Sequence, residues 1–185
     1  MLLGVAININ CQENLTDNRD GNVYRTISVN GVTWMADNLR FKPETGSAYF
    51  DNNTNNAKDY GLLYDWKTAV KSCPAGWRLP SGDDFRNLSN HFQDYESWTR
   101  QSGEMKSFTI QLGGLQDNEG VFSEIDESAY YWTSTEYNNR NAEYFSYLII
   151  DEMVVTDISR EADIVDIHGT DKNDKYSVRC IKAGQ

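Results

Sequence analysis

Histidine is nearly missing from this chain: 185 residues include only His91 and His168. A metal centre needs three or four convergent groups, so two isolated histidines read as surface or capping residues before they read as ligands. His91 lies beside a helix stripe and His168 precedes Gly169 in a polar loop, positions that suit surface or capping histidines. No Ser-His-Asp or Cys-His arrangement has a credible spacing. Basic residues are outnumbered, 17 against 28 acidic ones, giving a net charge of -11. Nucleic acid requires clustered Lys and Arg to displace counterions, so no nucleic-acid partner is expected, and an anionic membrane surface would repel the chain. The acidic balance suits cations, neutral polymers such as glycans, or a basic protein, and it also serves solubility alone.

Long apolar runs are scarce as well, and the mean hydropathy is -0.66. The N-terminal run Met1 to Ile7 is far too short to span a bilayer. It has the length of a signal core but no basic residues before it. Two readings stay open for residues 1–16. They form the tail of a lipoprotein signal, with Cys11 as the lipid-bearing residue, or an N-terminal strand packed on the domain. Asn10 before Cys11 fits signal cleavage poorly. Cysteines number three, Cys11, Cys73 and Cys180. An odd count invites one pair and one leftover, or free buried thiols in a reducing compartment.

Aromatic residues are plentiful at 12%, with five Trp and eleven Tyr. Rich aromatics without long aliphatic runs indicate short strands joined by many loops. Residues 23–35 read as a β-hairpin. Val23, Arg25, Ile27 and Val29 alternate with Tyr24, Thr26 and Ser28, and Asn30-Gly31 is a strong two-residue turn signal. Residues 41–60 read as loop. Asp51-Asn52-Asn53-Thr54-Asn55-Asn56 is no EF-hand, because its sixth and twelfth positions are Asn56 and Leu62. A short apolar stretch, Gly61 to Trp66, leads into a brief helix running to Lys71. The main helix is expected over about 81–93. Ser81 caps it, Asp83 and Asp84 sit at its positive end, and Phe85, Leu88 and Phe92 form one buried stripe. Beyond Phe108 the pattern is strand and turn. Residues 108–112 lead to Gly113-Gly114, Asp117 to Gly120 make a turn, and Tyr130 to Ser134 form a strand. A hairpin over 143–156 breaks near Asp151-Glu152, and a last strand covers 177–182. Helical content precedes a strand-rich second half, which argues α+β. Gly113-Gly114 is no phosphate loop, since no Lys-Ser/Thr follows.

Seven segments in order carry a resemblance. They are Gly21-Asn22-Val23-Tyr24-Arg25-Thr26, Trp34-Met35-Ala36-Asp37-Asn38-Leu39, Tyr60-Gly61-Leu62-Leu63-Tyr64-Asp65-Trp66, Cys73-Pro74-Ala75-Gly76-Trp77-Arg78-Leu79-Pro80-Ser81, Leu112-Gly113-Gly114, Tyr131-Trp132-Thr133-Ser134-Thr135-Glu136 and Ser177-Val178-Arg179-Cys180. Together they resemble the Fibrobacter succinogenes major paralogous domain family, over residues 17–183. That family occurs in surface and secreted bacterial proteins. The Trp77 to Ser81 helix start and the terminal Val178-Arg179-Cys180 strand are also similar to the wider C-type-lectin-like fold, which includes formylglycine-generating enzymes and variable adhesins. The resemblance implies one domain over 17–185, of mixed fold with short antiparallel sheets and neighbouring N- and C-terminal strands. It implies that Cys73 pairs with Cys180, tying down the last strand, and with that an extracytoplasmic location, secreted or as an outer-surface lipoprotein. Trp77 and Leu79 are expected in the core, Arg78 outside or paired with a carboxylate, and Trp132 beside the sheet.

The chemistry of those relatives does not carry over. An oxygen-using formylglycine generator needs two reactive cysteines near the C-terminus, and only Cys180 stands there. Calcium-dependent lectins carry Glu-Pro-Asn or Gln-Pro-Asp with Trp-Asn-Asp, and Trp132 is followed instead by Thr133-Ser134. Asp163, Asp166, Asp171 and Asp174 are the residues that would gather a Ca²⁺, against the plainer reading of a solvated acidic loop. No other cofactor is expected. A glycosidase-like carboxylate pair has nothing to single it out. The expected function is therefore a non-enzymatic binding or adhesion module for glycans or a cell-surface protein. The alternatives are a structural part of an envelope assembly and, behind it, a carboxylate hydrolase. The expected contact surface is Glu136, Tyr137, Asn138, Asn139, Arg140 and Asn141, because loops on a rigid sheet collect binding residues and Tyr and Asn suit sugar or protein contacts.

Overall fold

In the computed structural model, which describes residues 13–91, 110–150, 153–158 and 170–184, the chain opens on strand β1 (Asn14–Thr16). It pairs antiparallel with β2 (Val23–Val29), which turns into β3 (Val32–Met35). Asn30 and Gly31 both have positive φ, 49° and 81°, as a two-residue turn of this hand requires. The alternation in β2 has a consequence beyond a half-buried strand. Ile27 and Val29 join one core cluster with Trp34 and Phe85, while Tyr24 joins a second with Met35, Leu62 and Tyr64. Both faces of the hairpin thus carry buried residues, and of its large hydrophobic side chains only Val23 at its end is exposed.

Residues 41–60, expected as loop, contain short elements. Strand β4 (Ser47–Ala48) is followed by two 3-10 turns, Phe50–Asn52 and Thr54–Asn56, and by helix α1 (Ala57–Tyr60). None has a periodic apolar pattern. They are held by β4 pairing with β5 (Leu63–Tyr64) and by the buried ring of Phe50. Helix α2 (Trp66–Ser72) starts where Asp65 accepts the Thr68 N–H at 2.8 Å. Strand β6 (Trp77–Arg78) then leads to α3 (Gly82–His91). The cap of α3 is reciprocal: Ser81 Oγ accepts the Asp84 N–H at 3.2 Å, and the Asp84 carboxylate accepts the Ser81 N–H at 2.7 Å. Arg78 forks onto the same carboxylate at 2.7 and 3.1 Å, the carboxylate pairing expected of it. Leu79, Phe85 and Leu88 are buried as expected, and Trp77 packs partly buried against the core. Phe92 and the expected helix end near residue 93 lie outside the described residues.

The second half supplies β7 (Gly113–Gln116), β8 (Phe122–Ile125), β9 (Ser128–Glu136), β10 (Asn141–Ile150), β11 (Met153–Ile158), β12 (Thr170–Asp171) and β13 (Ile181–Lys182). Residues 110–112 form no strand, contrary to expectation. Gln111 turns its side chain to the Asn38 N–H and the Asp59 carbonyl, and strand pairing begins only at Gly113. Phe108 and Thr109 lie outside the described residues. The β10–β11 pairing places Ile150 opposite Met153, around the expected break at Asp151-Glu152, which also lies outside.

One sheet runs β1-β2-β3-β13-β6, so the last strand sits between the first hairpin and the entry to α3. The other runs β11-β10-β9-β7-β8 with β12 on β10, and the two-strand sheet β4-β5 completes the set. Pairing is antiparallel except between β7 and β9. The last strand is shorter than expected because residues 176–180 pass between sheets and divide their backbone bonds. Tyr176 exchanges bonds with Tyr64, the Trp132 N–H donates to Ser177 O, the Leu39 N–H to Val178 O, and the Met35 N–H to Cys180 O. The result is a sheet-rich fold with short helices, and Cys73 and Cys180 form a disulfide, their Cα atoms 5.8 Å apart.

Where residues 176–180 pass, several of the familiar segments meet. The buried Arg179 Nε donates to Asn38 Oδ1 at 2.8 Å, and its guanidinium lies 5.4 Å from the centre of the Tyr131 ring. Asn38 Nδ2 reaches Tyr60 O at 2.9 Å and Ser177 Oγ at 3.3 Å. A buried polar residue must be hydrogen-bonded to offset its desolvation, so this hub fixes how the two halves dock. Trp132 is buried, its indole N–H on Tyr64 O at 2.6 Å.

Candidate functional site

The turn between β9 and β10 is built by its own backbone and one asparagine. The N–H groups of Tyr137 and Asn138 both donate to Asn141 O at 3.1 Å. Asn138 Oδ1 accepts the N–H groups of Arg140 at 2.8 Å and Asn141 at 2.9 Å. Asn side chains close turns in this way because a short amide reaches backbone two or three residues on. Asn138 is thereby committed to shape.

Beneath the turn lies a second layer. The ammonium of Lys172 donates to the Glu136 carboxylate and to Asn138 O. It stands 4.6 Å from the centre of the Trp66 ring. The Lys172 side chain is only 14% exposed, so its charge is enclosed by a carboxylate, a carbonyl and an aromatic face. A cation over an indole contributes about 0.5–2 kcal/mol, more as water is excluded. The backbone adds to the brace: Lys172 N–H donates to Arg140 O at 2.9 Å, and Trp66 N–H to Lys172 O at 3.0 Å. The Trp66 indole N–H holds Thr133 O at 2.8 Å. Asn141 pairs with Asp171 across β10 and β12.

The six expected loop residues thus divide. Glu136, Asn138 and Asn141 hold the turn, and Tyr137, Asn139 and Arg140 are exposed on it, Tyr137 by 45%. An exposed phenol ring beside an amide and a guanidinium offers a stacking face, donors and an acceptor. Because the turn is braced from below, little conformational freedom remains to be lost when something binds, which favours affinity.

Lys172 and Trp66 were not legible as part of this site. Lys172 lies in an acidic stretch, Trp66 in a short apolar one, and only the β10–β12 register brings them under the turn.

The acidic residues place differently. Asp171 closes its own turn by accepting the Asn173 N–H at 2.9 Å. Asp174 has its carboxyl pushed up to about 6, first by burial and further by the neighbouring carboxylates of Asp171 and Asp117, against a backbone bond from Asn118. Asp163 and Asp166 lie outside the described residues. Among the described residues no three of His, Cys, Asp and Glu gather closely enough to hold a metal ion. His168, the His91 side chain and Cys11 also lie outside the described set.

Other charged groups are embedded in the fold. Glu143 of β10 is buried and pairs with Arg86 of α3, which also takes Asp83. The Tyr130 hydroxyl donates to Glu124 at 2.6 Å, and burial followed by that carboxylate pushes its pKa well up. No helix of the described residues is long and apolar enough to cross a membrane.

The model of one protein family, described as the Fibrobacter succinogenes major domain, matches residues 27–182. No curated protein and no solved structure matches the chain.

Proposed function

We propose that this chain, which belongs to the Fibrobacter succinogenes major domain family, is a non-enzymatic binding module of the cell exterior whose 136–141 turn takes glycans. The observation that carries this reading is the division of labour in the turn. Its underside is locked by Lys172, Trp66 and Asn138, while Tyr137, Asn139 and Arg140 stay exposed on its outer side. Exposed residues on a rigid support are a preorganised contact surface, and they include the group types that hold sugars: an aromatic face and planar amide donors.

Two further features support the setting. A disulfide between Cys73 and Cys180 suits an oxidising compartment. The wider arrangement is read as C-type-lectin-like, a reading supported by the pairing of β13 with β3, the cap of α3 and the bridge to Cys180 just before β13. Such a module would act by holding a surface polymer, with no bond made or broken.

The test is a polysaccharide and glycan panel probed with pure protein, once with Ca²⁺ and once with chelator. Saturable binding to one glycan class is expected, lost in the Tyr137→Ala/Asn139→Ala variant at unchanged melting temperature. Absence of binding under both conditions would contradict the reading and favour a role in an envelope assembly. Sensitivity to chelator would place a cation in the interaction.

A further inference from the structure

The arginines of this chain differ in how they are employed. Arg19 and Arg25 pair with Asp17 and Asp37, Arg78 with Asp84, and Arg86 with Glu143. Arg40 donates to Asn22 Oδ1 and Val23 O, and the buried Arg179 to Asn38. Among the described residues only Arg140 has a guanidinium with no hydrogen bond or ion pair in the fold. Arg40 and Arg179 also lack a carboxylate but are held by amide and carbonyl oxygens, so in a protein with a net charge of -11 the Arg140 guanidinium, with no acceptor at all, is set apart from the other described arginines. It sits on the braced turn, between the exposed Asn139 and the half-buried Asn141, three residues from the exposed ring of Tyr137. The other charges of the turn, Glu136 and Lys172, are engaged with each other.

We infer that the ligand of this turn carries a carboxylate, and that Arg140 is the residue that binds it: a largely neutral glycan bearing an isolated uronic or similar sugar acid. This rests on the reading of the turn as a glycan site. The guanidinium is a planar fork whose paired N–H groups match the two oxygens of a carboxylate, and such charge-assisted pairs are the strong members of the hydrogen-bond class. Tyr137 would supply the face for a sugar ring and Asn139 the bonds to hydroxyls. The chain's overall negative charge sets the other boundary. A dense polyanion would be repelled by the surface around the turn, whereas a single carboxylate on a largely neutral chain meets Arg140 within a Debye length of about 8 Å and is spared most of that field.

The experiment is titration calorimetry of the whole chain with three probes. These are a neutral oligosaccharide carrying one uronic acid, its methyl ester, and the same oligosaccharide carrying one sulfate in place of the carboxylate. The acid is expected to bind at least about tenfold more tightly than its ester. Arg140→Ala should erase that difference at unchanged melting temperature, and Arg140→Lys should keep only part of it, since an ammonium retains charge without the fork. Raising the salt should weaken the acid and leave the ester unaffected. Equal binding of acid and ester, or tighter binding of the sulfated probe, would overturn the carboxylate assignment. If Tyr137→Ala abolishes binding while Arg140→Ala changes nothing, the turn stands as the site and the acid assignment falls. If neither substitution alters binding of any probe, or no probe binds, the site reading falls and the assignment with it.

Discussion

Removing the Cys73–Cys180 bridge is the perturbation whose size follows most directly from the structure. The bridge closes a loop of 107 residues, which encloses α3, β7 to β12 and the candidate turn. Chain-entropy reasoning gives about 5 kcal/mol for a loop of that length, lost when the unfolded chain is freed. Cys180 is also fully buried and belongs to the second core cluster, so removing its sulfur adds about 1 kcal/mol. The Cys73→Ala/Cys180→Ala variant should therefore lose about 6 kcal/mol in urea unfolding. Its melting temperature should drop by about 12–24 °C, at 2–4 °C per kcal/mol for a domain of this size. Thiol titration of the denatured, unreduced parent should find one free cysteine at most. A loss below about 1 kcal/mol would refute the reasoning, because it would mean that β3, β6 and the polar hub hold residues 176–182 without the covalent tie.

Other outcomes follow from single side chains. Asp174, pushed up to about 6 from an ordinary 3.8, is disfavoured as an anion in the fold. Its destabilising effect is full above pH 6, fades as pH falls through 6, and is gone near 4. After screening for its half-exposed position this is about 1 kcal/mol, so the stability difference between Asp174→Asn and the parent should shrink by that amount between pH 7.5 and 4.5 in urea titrations. A pH-independent difference would refute it. Gly82→Ala would bring a methyl within 2.0 Å of the Glu143 carboxylate, so the buried Glu143 side chain, paired with the partly exposed Arg86, must shift. A loss of about 1–2 kcal/mol is expected by chemical denaturation, and a neutral result would contradict the packing. Lys172→Met keeps the stem but removes the ammonium under the turn. Amide exchange at residues 137–141 should quicken severalfold while β9 stays protected, and unchanged exchange would show that the brace is unnecessary.

Much of this architecture could be read from local signals, and the failures have a common cause. The Asn30-Gly31 turn, the Ser81 cap and the alternating strands each depend on neighbours within a few residues, and all three formed as expected. Residues 47–60 and 176–180 went differently because their structure depends on partners far along the chain. The short β4 needs β5, and residues 176–180 split their bonds between Tyr64, Trp132, Leu39 and Met35. The site shows the same division. The exposed turn was visible as a Tyr- and Asn-rich interruption between strands, but its support was not. Lys172 lies 36 residues beyond Glu136, and no spacing rule connects a lysine in an acidic stretch to a tryptophan on α2. The employment of Asn138 as a turn closer and the singularity of Arg140 emerge only once every hydrogen bond is placed.

The most direct test of the account is the affinity of the parent chain and of Tyr137→Ala/Asn139→Ala, side by side, for the glycan class that the parent binds best. The account predicts saturable binding by the parent and a loss of at least about tenfold in the variant, with identical melting curves. Equal affinity in the two proteins would contradict the central claim that the braced 136–141 turn is where this chain meets its ligand.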